Sequence, residues 1–143
     1  LRNTATLGGN LHAVAPYGDL APVLLALDAT VRLVGTGGER TVALADWLTE
    51  EGDRRPEVLA EVVVPPPRGL TAHRRHARRA ANSPAVACAA VRLVIEDGAF
   101  AEARVAIGAV VPRALRAVTA EERLTAELAM SDDEDPDDED DPA

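Results

Sequence analysis

The residues best suited to chemistry stand near the start of the chain: Thr6-Leu7-Gly8-Gly9-Asn10 sets two glycines between a hydroxyl and a carboxamide. Glycine carries no Cβ, so backbone N–H groups there can approach an anion closely, and a phosphate or pyrophosphate suits such a concavity. The stretch is not the Gly-x-Gly-x-x-Gly fingerprint of dinucleotide folds. Nor is it a Walker loop, because the chain contains no lysine. Taken alone, Gly8-Gly9 reads as an ordinary turn.

Other candidates are weaker. Arg74, Arg75, His76, Arg78 and Arg79 form a basic run of the kind that phosphate backbones require. Aromatic residues make up only 2% and none interleaves the run, so base stacking has no support and no nucleic-acid partner is expected. The absence of lysine removes Schiff-base chemistry. His12, His73 and His76 lack metal-ligand spacing with carboxylates and read as exposed polar residues, with no metal site expected. Ser83 and Ser131 stand outside any triad motif. Cys88, the single cysteine, lies in the apolar run from Ala85 to Val91 and reads as a small core residue without a disulfide. No catalytic residue is assigned.

These residues need a scaffold, and 143 residues with 47% hydrophobic content can bury a core, here of Ala, Val and Leu. The formal charge of -9 belongs to one segment: residues 132–141 carry nine carboxylates, and without them 15 acids balance 15 arginines. No run approaches the roughly 20 apolar residues of a membrane span, and no basic region precedes an apolar leader. A cytoplasmic, soluble protein is expected. The chain enters its glycine motif almost at once from Leu1, which sets the expectation of a piece of something longer.

Asp19 and Pro22 suit a helix start, and the stretch from Ala21 to Ala29 favours a short helix with a turn near Asp28. Alternation over Thr30–Val34 and Arg40–Leu44, around the turn cluster Gly35–Gly38, predicts a hairpin, with Leu44–Trp47 helical across its end. Glu57–Val64 predicts a strand stopped by Pro65, Pro66 and Pro67. Ala85–Ile95 reads as strand or helix, Glu96–Gly98 as a turn and Ala103–Val111 as a strand. Arg113–Ala129 has helical spacing, and residues beyond Ser131 are expected to be disordered. The fold class is α+β.

The wider stretch carries more. Arg2-Asn3-x-Ala5-Thr6-Leu7-Gly8-Gly9-Asn10-Leu11, Pro16-x-x-Asp19-x-x-Pro22, Leu24 through Ala29, Gly38-x-Arg40-x-Val42-x-Leu44-x-Asp46 and Glu57-Val58-Leu59 together resemble the flavin-binding subunit of molybdenum hydroxylases, the xanthine dehydrogenase and carbon monoxide dehydrogenase family. Arg78-Arg79, the Ala-rich run to Arg92, Asp97-Gly98 and the stretch from Ala103 to Arg113 resemble that family's C-terminal flavoprotein domain. The resemblance implies the second lobe of a two-lobed FAD-binding domain over residues 1–66, with a mixed or antiparallel sheet and helices. A small α+β C-terminal domain follows over 67–130, then an acidic tail over 131–143. The family's first FAD lobe is absent from the sequence as given.

For individual residues the resemblance implies that Thr6, Leu7, Gly8, Gly9 and Asn10 wrap the FAD pyrophosphate. Asp19 would accept from ribose hydroxyls at the adenosine end, although an N-cap role fits it equally well without the family. Val58 and Leu59 would pack near the flavin, with plain strand core as the alternative. Arg74 falls where relatives place a lysine near the isoalloxazine, while Ala80, Ala81 and Asn82 depart from the acidic residue that commonly follows the double arginine. The implied function is a cytoplasmic electron-transfer subunit. It would pass electrons from an iron-sulfur subunit, itself fed by a molybdopterin-binding subunit, through FAD to an acceptor such as NAD or a quinone. A truncated, flavin-free interaction or assembly module is the alternative.

Overall fold

The computed structural model describes residues 4–50, 56–66, 68–80 and 83–127. Three short helices, α1 (Leu7–His12), α2 (Leu20–Ala26) and α3 (Leu44–Thr49), accompany a three-stranded sheet of β1 (Thr30–Gly35), β2 (Gly38–Ala43) and β3 (Glu57–Val63). The second sheet holds β4 (Leu70–Ala77), β5 (Ala85–Glu96), β6 (Ala99–Gly108) and β7 (Leu115–Arg116), and α4 (Val118–Glu127) packs on β6. Sheet orders are β2-β1-β3 and β4-β5-β6-β7, and every pairing is antiparallel. The α+β expectation holds, with antiparallel rather than mixed sheets.

The first hairpin follows the alternation that predicted it. Val31 and Leu33 point inward from β1 and are fully buried, while Arg32 between them faces out to Glu39 and Glu61. Arg40 on β2 joins three elements, donating through Nε to Glu57 at 2.9 Å and through Nη1 to Glu50 at 2.7 Å, just past α3. A planar guanidinium with five donors can serve two carboxylates at once.

One core crosses both sheets. Leu11 of α1, Leu24, Leu25 and Ala26 of α2, and Leu44, Trp47 and Leu48 of α3 meet Val31 and Leu33 on one side and Ala90 and Ala106 on the other. The helices thus form a layer between the sheets, in which α2 touches β5 and β6 and α3 touches β1 and β2. Gly108 permits the closest approach. A Cβ there would lie 2.7 Å from Pro22 Cγ and 3.0 Å from Cys88 Sγ, and Cys88 is buried as expected.

Ala85–Ile95 resolves as strand, joined to β6 through Asp97 and Gly98, whose φ values of 52° and 83° suit a two-residue hairpin loop. The following strand starts and ends earlier than expected, at Ala99 and Gly108 instead of Ala103 and Val111. The expected helix over Arg113–Ala129 is shorter in the described residues. Leu115 and Arg116 pair with Ile107 and Ala106, and α4 begins only at Val118. Edge pairing satisfies backbone groups that a longer helix would have left without the sheet, so tertiary context overrides propensity. The last residues of the expected helix and the acidic tail lie outside the described residues. Strand β4 was not anticipated, because Leu70–Ala77 lacks apolar alternation.

Candidate functional site

The glycine motif builds a helix start, not a free loop. Thr6 occupies the N-cap of α1 in extended conformation, and its Oγ1 accepts from the Gly9 N–H at 3.0 Å. Helical geometry leaves the first N–H groups without intrahelical acceptors, and the Thr6 hydroxyl serves one of them while keeping its own proton for donation. His12 at the far end sits with Nδ1 2.8 Å from the Gly8 carbonyl oxygen, and its ring meets Trp47 edge-on, with centroids 5.1 Å apart.

The two glycines differ. A Cβ on Gly9 would fall 2.9 Å from Thr6 Oγ1, crowding the cap, whereas a Cβ on Gly8 would meet only Leu59 Cδ2, at 3.9 Å. Gly8 therefore has room that the fold itself does not use. Leu59 is half-buried and packs against the core from β3, so the structure brings it to the motif; its neighbour Val58 is 69% exposed on the other face.

Asn10 turns its side chain toward α2, where Oδ1 accepts from the Leu20 N–H at 3.1 Å. Asp19 stands at the N-cap of α2 yet makes no capping hydrogen bond. The Ala21 N–H goes instead to the Gly18 carbonyl and Pro22 has no N–H to offer, and Asp19 Oδ2 accepts from Arg75 Nε at 2.7 Å. Arg75 also donates through Nη2 to the Ser83 carbonyl. Arg74, one residue earlier on β4, is exposed and donates to the carbonyl of His73 at 3.2 Å. Strand alternation sends it to the face away from Asp19.

The structure thus gathers Thr6 through Asn10, Leu59 and Asp19 on connected elements and leaves Arg74 apart from them. Arg75 was not singled out by sequence, because nothing distinguishes it within a run of arginines. Of the histidines, His12 and His76 are exposed, but His73 is half-buried with Nε2 enclosed and without a hydrogen-bond partner. Burial, and after it the charge of Asp19, pushes the Cys88 thiol up, with Arg75 and a hydrogen bond to the Gly108 backbone acting in the opposite sense.

An ion network fixes α2 to the second sheet. Asp28, in the left-handed region at φ 53°, follows α2 and is met by Arg92, Arg104 and Arg116. Glu102 bridges Arg92 and Arg104, and Glu121 of α4 binds Arg116 and accepts from the Val105 N–H at 2.8 Å. Burial alone would raise the Glu121 carboxyl, but the Arg116 and Val105 hydrogen bonds and the nearby arginine charges hold it below the usual range.

Among the described residues no group of three or more His, Cys, Asp or Glu is placed to hold a metal ion, and no helix is long and apolar enough to cross a membrane. Comparison with known families matches residues 1–67 to the FAD binding domain in molybdopterin dehydrogenase and residues 72–131 to the CO dehydrogenase flavoprotein C-terminal domain. The xanthine dehydrogenase of Blastobotrys adeninivorans is 30% identical over 138 residues, covering 90% of this chain and 10% of that protein. Quinoline 2-oxidoreductase from Pseudomonas putida 86 superposes with a TM-score of 0.73 at 31% identity, over 89% of this chain and 45% of that one. Reconstituted CO dehydrogenase from Oligotropha carboxidovorans gives 0.77 at 27% identity, over 87% and 45%. The chain therefore spans less than half the length of each of these proteins.

Proposed function

Because the chain belongs to the flavoprotein family of the molybdenum hydroxylases, we propose that it contributes to an FAD site, with Thr6 through Asn10 holding the pyrophosphate. On this reading the whole protein is the electron-transfer subunit of an oxidoreductase. It stands between an iron-sulfur subunit, with its molybdopterin-binding partner, and an acceptor such as NAD or a quinone. The observation that carries the reading is the open backbone at Gly8, beside a capped helix start and within van der Waals reach of Leu59.

The residues present fit the group. Gly8 lets the backbone approach phosphate oxygens without a Cβ in the way, and the Thr6 hydroxyl and the Asn10 amide nitrogen add donors. Asp19 offers carboxylate oxygen to hydroxyl donors of the nucleotide, and Leu59 excludes water from one side. Arg74 stands apart from these residues on β4, and its cation would favour a reduced, anionic flavin only if the isoalloxazine extends to that face. Bound FAD supplies the redox chemistry, so none of these side chains has to act as acid, base or nucleophile.

The test is a titration of FAD against the chain, following flavin fluorescence and the emission of Trp47, the only tryptophan. It is run with and without the portion of the quinoline 2-oxidoreductase chain that this sequence leaves unmatched. Saturable binding in either arm that Gly8→Ala weakens supports the reading. No binding in both arms overturns it in favour of a flavin-free assembly module.

A further inference from the structure

Arg75 and Asp19 are 56 residues apart in sequence and joined by a 2.7 Å hydrogen bond between β4 and the start of α2. The arrangement around them is specific. The N–H groups that an N-cap side chain ordinarily serves are closed to Asp19: that of Ala21 goes to the Gly18 carbonyl oxygen at 3.3 Å and Pro22 has none, while Asn10 Oδ1 accepts from the Leu20 N–H. Asp19 is thereby released from helix capping, and Arg75 claims only its Oδ2. Among the described residues no hydrogen bond reaches Asp19 Oδ1, and the side chain is 38% exposed.

The guanidinium is fixed on its own side as well. Nε and Nη2 lie along one edge of the planar group, and they meet two separate acceptors, the Asp19 carboxylate and the Ser83 carbonyl. Two acceptors on one edge set the orientation of the plane, and through it the orientation of the carboxylate. A carboxylate that accepts at one oxygen retains lone pairs at the other.

We propose that Arg75 is a positioning residue for the flavin nucleotide: it holds Asp19 so that Oδ1 faces a hydroxyl or N–H donor of the bound cofactor, without touching the cofactor itself. The inference rests on the FAD reading above. It also separates the two neighbouring arginines, Arg75 acting through Asp19 and Arg74 standing on the opposite face of β4.

A double-mutant cycle tests this. FAD dissociation constants are measured for the wild-type chain, Asp19→Asn, Arg75→Gln and the double variant, under the conditions in which the wild type binds. Arg75→Gln is expected to weaken FAD about tenfold in the wild-type background, the scale of a hydrogen bond to a charged group. It should weaken FAD less than about twofold when Asp19 is already Asn, because its effect is routed through that carboxylate. Arg75→Lys, which keeps the charge without the fork, should recover part of the loss and carries the same comparison should Arg75→Gln not fold. Equal losses in both backgrounds, or no loss in either, overturn the inference and leave FAD binding standing. A wild-type chain that binds no FAD in either arm of the titration overturns the reading and the inference together.

Discussion

Arg104 Nε lies 3.1 Å from each carboxylate oxygen of Asp28, a symmetric contact between the middle of β6 and the residue that ends the turn after α2. Around it Arg92 is 5% exposed and bonded through Nη2 to both Asp28 and Glu102, so this cation is buried and paired, while its Nε is enclosed without a hydrogen-bond partner. A buried charge costs several kcal/mol unless it is paired. The network therefore makes the seating of α2 on the second sheet depend on one carboxylate, and α2 carries Asp19 at its other end.

Asp28→Asn is expected to destabilise the chain by about 3 kcal/mol, because it leaves arginines facing a neutral amide while asparagine still tolerates the positive φ. Urea unfolding monitored by Trp47 emission measures this. A loss below about 0.5 kcal/mol would show the network to be solvated and dispensable.

Glu121 gives the network a pH signature. Its carboxyl sits below the usual range in the folded chain, so the unfolded chain takes up the proton first as pH falls. The stabilisation is complete above the unfolded value, about 4.3, and is lost as pH drops through the lower folded value. Glu121→Gln should cost about 2 kcal/mol at neutral pH and flatten the fall in melting temperature between pH 5 and pH 3. Thermal melts of both proteins across that window decide it, and parallel curves would remove Glu121 from the acid response.

How much of this was legible in the sequence depends on the range of the interaction. The hairpin of β1 and β2, helix α2 and the Asp97-Gly98 turn follow from local alternation and turn chemistry, and each stands where it was expected. Strand β4 was not, because its side chains are polar on both faces and its existence depends on pairing with β5. Leu115 and Arg116 were read as helix for the same reason: their place beside β6 is a tertiary fact. At the site, Thr6, Gly8, Gly9 and Asn10 were visible as a motif. The contacts of Asn10 with the head of α2 and of Asp19 with Arg75 join residues 10 and 56 positions apart, and no spacing rule reports them.

Packing at Gly108 supplies a third prediction. A methyl group there meets Pro22 at 2.7 Å and Cys88 at 3.0 Å, both in a closed contact between α2 and the sheet. Gly108→Ala should lower stability by about 1–3 kcal/mol, the usual cost of overpacking. The Cys88 thiol should also react faster with a thiol-specific probe as the contact opens. Unchanged stability together with unchanged thiol protection would mean that Pro22 moves aside freely.

The two glycines of the motif separate fold from ligand most cleanly. Gly8→Ala adds a methyl group that meets only Leu59, at ordinary contact distance, and alanine is favoured over glycine inside a helix by up to about 1 kcal/mol. The variant should therefore melt at or slightly above the wild-type temperature. If Gly8 presents bare backbone to a pyrophosphate, the same methyl group blocks that approach, and FAD binding should weaken by about tenfold or more. Gly9→Ala behaves differently: its methyl group falls 2.9 Å from Thr6 Oγ1 and pushes against the cap. It should lose about 1 kcal/mol of stability along with affinity. Melting curves and FAD titrations on the pair give the answer, since stability and affinity move in opposite directions only for Gly8→Ala. A Gly8→Ala chain that is equally stable and binds FAD as tightly as the wild type would place the pyrophosphate elsewhere.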